Sequence, residues 1–165
     1  MSSIIYTTGD ATMPTTPGPK VIVHCCNDIG AWGAGFVLAL SKTWPKAEEA
    51  YKAWGSTEED PQVEETGKRQ LGEVQFVLVG PKLWVANLVG QTGVGRGDDG
   101  RPPIRYDAIR YGLIKVCRHC KIHEATAHMP RMGSGLAGGN WIAIEQTVQA
   151  ELASKGVAVT VYDLP

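Results

Sequence analysis

The residues of this chain that could do chemistry gather at glycine-rich turns rather than in charged motifs. Three stretches, Gly30–Gly35, Gly90–Gly100 and Gly133–Gly139, hold twelve of its 20 glycines. Glycine lets the backbone approach a ligand or another chain segment closely. Two of the stretches lie between an apolar run and a helical pattern. Gly33 and Gly35 precede the pattern that begins at Phe36, and Gly133, Gly135, Gly138 and Gly139 lead toward Trp141. Free N–H groups at such helix starts bind anions without any lysine. Two such sites side by side suit a pyrophosphate. Tight strand-to-helix turns with no ligand explain the same spacing equally well.

The titratable candidates are fewer. His24 closes the apolar run Lys20–Cys25 (KVIVHC) beside the first glycine loop, as either a pocket residue or a hydrogen-bonded core histidine. Cys117-x-x-Cys120-x-x-His123 has metal-ligand residue types. Both cysteines fall on the apolar face of a helical pattern, however, and no second pair follows at zinc-finger spacing. Cys25-Cys26 reads the same way, as small hydrophobes. No metal is expected.

Three familiar motifs fail on context. Gly95–Gly100 spells G-x-G-x-x-G, but Pro102 and Pro103 follow where a dinucleotide fingerprint needs a helix. Gly67-Lys68 is followed by Arg69, so there is no Walker A sequence. Arg131 stands where a nucleophile elbow around Ser134 would need glycine.

These loops must hang on a scaffold of alternating strands and helices. Ile4–Thr7, Lys20–Cys25, Glu73–Val79, Leu83–Val89, Ala125–Met129 and Val157–Tyr162 read as strands from their β-branched and apolar runs. Helices are predicted from Phe36 to Lys42 and from Pro45 to Trp54. A third carries Ile109, Leu113, Val116 and Cys120 on one face, and a fourth is capped by Asn140 and ended by Gly156. The alternation predicts an α/β protein with a parallel or mixed sheet. At 165 residues, with 43% hydrophobic and 20% charged, one domain spanning 1–165 is expected. The polar, acidic segment 55–70 reads as an exposed, mobile insertion. A net charge of −1 leaves no basic stripe for duplex nucleic acid, and no apolar run is long enough for a membrane span. The cysteine usage and the absence of a secretory pattern suggest a cytoplasmic protein.

Taken in order, Gly9-Asp10, VIVHCCNDIGAWGAGF (Val21–Phe36), MPRMGSGLAGGNW (Met129–Trp141) and VTVYDL (Val159–Leu164) resemble the macrodomain family. They look most like its terminal ADP-ribose protein glycohydrolase type, and Val21–Tyr51 is also similar to the yeast ADP-ribose-1''-phosphate phosphatase. The resemblance implies a three-layer α/β/α sandwich with a mixed central sheet and an ADP-ribose cleft along the strand ends. It implies that Asp10, between Gly9 and Ala11, holds the adenine amino group. Asn27, Trp32, Gly33, Gly35 and Phe36 would surround the distal ribose, and Met132, Gly133, Ser134, Gly135 and Leu136 would wrap the pyrophosphate.

Two departures matter. The glycohydrolase type has a lysine nucleophile where this chain has Gln91, and an aspartate where it has Ala137. An amide cannot form the Schiff base that a lysine forms with the opened sugar. The expected activity is therefore hydrolysis of mono-ADP-ribose from glutamate and aspartate side chains by a positioned water. The substrate's own α-phosphate would take the water's proton, Gln91 and Asn27 would orient the water or the ribose hydroxyls, and His24 is the nearest proton carrier the protein offers. A non-catalytic ADP-ribose-binding module and an ADP-ribose-1''-phosphate phosphatase are the alternatives. The expected partners are ADP-ribose and a mono-ADP-ribosylated protein, with no cofactor and with the chain as a monomer.

Overall fold

The computed structural model describes residues 3–135 and 137–165. Leu136, expected at the pyrophosphate, lies outside the described residues.

Among the described residues seven strands form one sheet: β1 (Ile4–Thr8), β2 (Lys20–Asn27), β3 (Val63–Glu65), β4 (Val74–Gly80), β5 (Leu83–Gln91), β6 (Thr126–Met129) and β7 (Val159–Asp163). Their order is β1-β7-β6-β2-β5-β4-β3. The five strands from β1 to β5 in that order pair in parallel, and β4 and β3 continue the sheet as antiparallel neighbours.

The continuous apolar reading of β2 is explained by its central place. Val21 and Val23 enter a core shared with α3 (Tyr106–His123) and α4 (Trp141–Glu151). Ile22 and Cys26 enter a second core with α1 (Phe36–Thr43) and α2 (Pro45–Lys52). A sheet covered on both faces is the α/β/α sandwich.

Local sequence explains the helix boundaries. Pro45 sits at the first position of α2, where its missing N–H costs nothing, and so separates it from α1. Asn140 Oδ1 accepts from Ile142 N and caps α4. Ile109, Leu113, Val116 and Cys120 are all buried on α3, as their spacing requires. Gly112 permits the helix to lie close on the sheet: a Cβ there would stand 2.4 Å from Leu88 Cγ.

The segment 55–70 corrects one expectation. It is largely exposed, but it is bound to the sheet rather than hung from it. Val63, Glu64 and Glu65 pair with Val77, Phe76 and Gln75 of β4. Trp54 Nε1 donates to Gly67 O at 2.8 Å, and Lys46 pairs with Asp60 at 2.6 Å. Three residues with one apolar side chain are too short a run to read as a strand; the partner strand makes it one. No helix among the described residues is long and apolar enough to cross a membrane.

Candidate ligand-binding cleft

Strands β2, β5 and β6 run parallel, so their carboxyl ends, Asn27, Gln91 and Met129, open on the same edge of the sheet. That edge is where open α/β sheets bind ligands. Two adjoining hollows lie there, of about 260 and 130 Å³. Together they fall near the lower end of, but within, the ~300–1,000 Å³ typical of small-molecule sites. The larger is walled by Gly35, Phe36, Met132, Gly133 and Gly135; the smaller by Asn27, Gly33 and Val94; Cys25 and Gln91 line both. A more voluminous depression, about 880 Å³, lies elsewhere, beside Glu58, Glu59 and Asp60. Four carboxylates on its wall, with Glu65 the fourth, would repel a diphosphate, so the strand-end cleft is the stronger candidate.

The loop after β2 is shaped by Asn27. Its Oδ1 accepts from Ile29 N, Ala31 N and the Tyr51 hydroxyl, and its Nδ2 donates to Ala31 O at 2.7 Å. Its polar atoms are thus engaged inside the loop, and it positions Gly33 and Gly35 rather than orienting water itself. Gly35, at φ 81, is the residue from which α1 starts. The loop after β6 folds on itself in a similar way. Gly139 N donates to Gly133 O at 2.8 Å, and Ser134 Oγ donates to Arg131 O at 2.5 Å. Arg131 is anchored on Asp163 by two hydrogen bonds, 2.7 and 2.9 Å.

Gln91 ends β5 opposite Asn27. Its Nε2 donates to Gly93 O at 2.9 Å. Asp28 ties the same loop to its neighbour: its carboxylate accepts from Thr92 Oγ1 at 3.0 Å and from Gly93 N at 2.8 Å. Sequence reasoning passed over Asp28, because only the pairing of β2 with β5 brings it to the 92–93 turn. Asp10 is exposed beyond this cleft, its Oδ1 held by Thr12 N and Thr12 Oγ1. Gly9 N is fixed by Asp163 O, and Ala11 is buried.

Two expected site residues belong to the core. Trp32 is 7% exposed; its Nε1 donates to Val37 O, and its ring packs edge-on against His24 and tilted on Tyr51. It therefore neither covers a ribose nor points to solvent. His24 forms part of the floor of the larger hollow but is only 1% exposed, with Nε2 2.5 Å from Asn87 Oδ1. Asn87 Nδ2 is a donor to Ala47 O and Gln75 Oε1, so its Oδ1 is the acceptor and His24 Nε2 carries the proton. Gln75 Nε2 continues the chain to Ala50 O and Glu65 Oε2. Burial pushes the His24 pKa down to about 4 against the opposing Asn87 hydrogen bond. A neutral, fully partnered imidazole fits the core alternative and not a proton carrier at neutral pH. Tyr106, likewise, holds the start of α4 by accepting from Asn140 N.

Cys25, read as bland, is the one nucleophile type that reaches both hollows. Burial raises its thiol to about 12, although the Gly90 backbone opposes this. It is protonated and unreactive at neutral pH.

His128 is buried like His24, bonded to Tyr162 Oη and Thr126 Oγ1, and burial together with Lys20 brings it to about 4 as well. Both histidines have folded values below their ordinary 6.5. The unfolded chain therefore binds more protons between those limits. The stability tied to neutral histidine is complete above about pH 6.5 and is lost as pH falls toward 4. Unfolding free energies from urea titrations at pH 7 and 4.5 should differ by on the order of 2 kcal/mol per histidine. Equal free energies would contradict the burial of both rings.

The fold is an α/β/α sandwich whose candidate site is made of backbone loops at parallel strand ends. Its likenesses are specific. A structure from Bacteroides thetaiotaomicron, a protein of unknown function, is 52% identical over 99% of both chains, with a TM-score of 0.90. A macrodomain protein from Streptomyces coelicolor is 44% identical, covering 98% of this chain and 99% of that one, with a TM-score of 0.80. The ADP-ribose 1''-phosphate phosphatase of Saccharomyces cerevisiae is 37% identical over 99% of this chain and all of its own length. The chain belongs to the macrodomain family. It spans only 18% of another relative, the mouse chromodomain-helicase-DNA-binding protein 1-like, at 30% identity. A Trypanosoma brucei macrodomain in complex with ADP-ribose, 13% identical with a TM-score of 0.60, shares the fold. No family model matches the chain.

Proposed function

We propose that this chain binds ADP-ribose in the strand-end cleft and hydrolyses ADP-ribosyl esters on glutamate and aspartate side chains of a modified protein. The observation that carries this reading is the make-up of the cleft. Among the described residues its lining holds the backbone of two glycine loops, but no lysine and no carboxylate. Backbone N–H groups suit the diphosphate. The ester bond at C1'' of the distal ribose is already activated, because its leaving group is a carboxylate. A water attacks C1'', the carboxylate leaves, and the proton passes to a phosphate oxygen of the substrate. The protein supplies position: the Gly33–Gly35 loop confines the ribose, and Gln91 faces both hollows. Positioning of this kind is worth up to roughly 7–11 kcal/mol in favourable systems.

Calorimetric titration with ADP-ribose checks the binding half, and absence of saturable heat would remove it. Asp10 is assigned to the adenine amino group. Asp10→Ala should weaken binding by about 1.5–3 kcal/mol, as expected for a hydrogen bond to a charged group. Unchanged affinity would place the adenine elsewhere.

Phosphatase action on ADP-ribose 1''-phosphate is a second reading, favoured by the end-to-end likeness to the yeast enzyme. It is distinguished by pH. A terminal phosphate titrates near ~6, whereas a diphosphate ester and the neutral His24 do not titrate there. Phosphate release with a break near that pH selects the phosphatase. ADP-ribose release that stays level from pH 5.5 to 8.5, after subtraction of spontaneous hydrolysis, selects the esterase. A monomer in the cytoplasm completes the proposal.

A further inference from the structure

We propose that Glu64, His119 and His123 bind one divalent transition-metal ion of the zinc class, clipping β3 to the end of α3 on the face opposite α1 and α2. His119 and His123 are four residues apart on α3, so they share one face of the helix. Their ring centroids are 4.4 Å apart. Glu64 arrives from another part of the sequence because it pairs with Phe76 across the β3–β4 ladder. The Phe76 ring stacks flat on His119 at 4.0 Å. One ligand atom from each of the three residues lies within 4.8 Å of the others.

A second observation points to a ligand independently. His119 is 5% exposed, yet its Nε2 has no hydrogen-bond partner among the described residues. Its Nδ1 stands 3.7 Å from Glu64 Oε2, too far for a hydrogen bond. Nearly all buried polar groups are satisfied, so an orphaned imidazole calls for an explanation. A neutral imidazole has one ring nitrogen with a free lone pair, the atom a metal ion takes.

The donor set selects the metal. Two imidazoles and one carboxylate suit zinc and its neighbours rather than magnesium or calcium, which prefer all-oxygen shells. Three protein ligands leave the fourth tetrahedral position to water. Bonds of ~2.0–2.2 Å require the donors to close to about 3.4 Å. The Glu64 side chain, 74% exposed, has the freedom to close by rotation. Trp84 packs against both imidazoles at 4.9 and 4.5 Å and fixes their planes. The cysteines of the sequence motif are not part of this set. Cys120 faces the main core and Cys117 packs against it.

The test uses the full chain without a histidine tag, dialysed against zinc or cobalt chloride alone. One equivalent of metal is expected to bind and to raise the unfolding temperature. Glu64→Gln and His123→Gln should each lose at least tenfold in zinc affinity, since both residues are at least partly exposed and neither carries the fold. The cobalt form should show visible ligand-field bands without a near-ultraviolet thiolate band. Absence of stoichiometric metal, unchanged affinity in either variant, or a thiolate band would each overturn the proposal. ADP-ribose affinity should stay the same with and without the metal, because the site lies outside the cleft.

Discussion

Gly135→Glu is expected to abolish ADP-ribose binding and leave the fold intact. Gly135 lines the larger hollow, and a Cβ built on it meets nothing within 4 Å. Its φ is not in the left-handed region. The backbone therefore accepts a side chain, and that side chain enters the space assigned to the diphosphate. A carboxylate about 4 Å from a phosphate costs from ~1 to ~4 kcal/mol per charge pair, depending on solvent access. Two phosphate charges and the occupied volume add up to a loss of at least about 100-fold in affinity, equivalent to ~2.7 kcal/mol. Calorimetry gives the affinity, and the circular dichroism melt serves as the control for folding. Normal binding would move the ligand out of this loop. The neighbouring glycines would not give so clean an answer. At Gly139 a Cβ would stand 2.4 Å from Gly133 O, and at Gly133 it would stand 2.8 Å from Ile104 Cδ1. Substitution there would damage the loop itself.

Asn87→Leu should cost about 3–5 kcal/mol of stability. The substitution keeps the volume but removes the middle link of the buried relay. His24 Nε2, Gln75 Oε1 and Ala47 O each lose their Asn87 partner. An orphaned buried polar group costs about 1–3 kcal/mol, and the added apolar burial offsets part of the sum. Urea denaturation at pH 7 measures it. A loss below about 1 kcal/mol would mean that water reaches the relay, and His24 would then be closer to solvent than its 1% exposure states.

Much of the scaffold was legible because local rules and tertiary packing agree. The apolar run of β2, the 3.6-residue face of α3, Pro45 and the Asn140 cap each had one physical solution. The place of the two glycine loops was legible for the same reason: strand, glycine turn and helix in succession force them to the strand ends. Three things were hidden. Strand β3 exists through its pairing with β4, not through its own composition. Trp32 and His24 stand next to glycine loops in sequence, but they turn inward to Val37 and Asn87, and such a turn has no local signature. Asp28 gains its role only when β2 lies beside β5. The Glu64–His119–His123 cluster was hidden in the same way, since its two arms meet only across the sheet. Gln91 and Ala137 stand at the positions where the resemblance puts the lysine and aspartate of the glycohydrolases. Both line the cleft, with no ionised nucleophile to replace them among the described lining residues.

The most direct test of hydrolysis without a protein nucleophile is a time course of ADP-ribose release from glutamate-linked ADP-ribosylated protein, with the enzyme at one hundredth of the substrate. Release of many equivalents per protein molecule, lost in Gly135→Glu and retained when Cys25 is replaced by serine, is the expected result. Tight binding with no release above the buffer control would contradict it and leave the chain as an ADP-ribose reader.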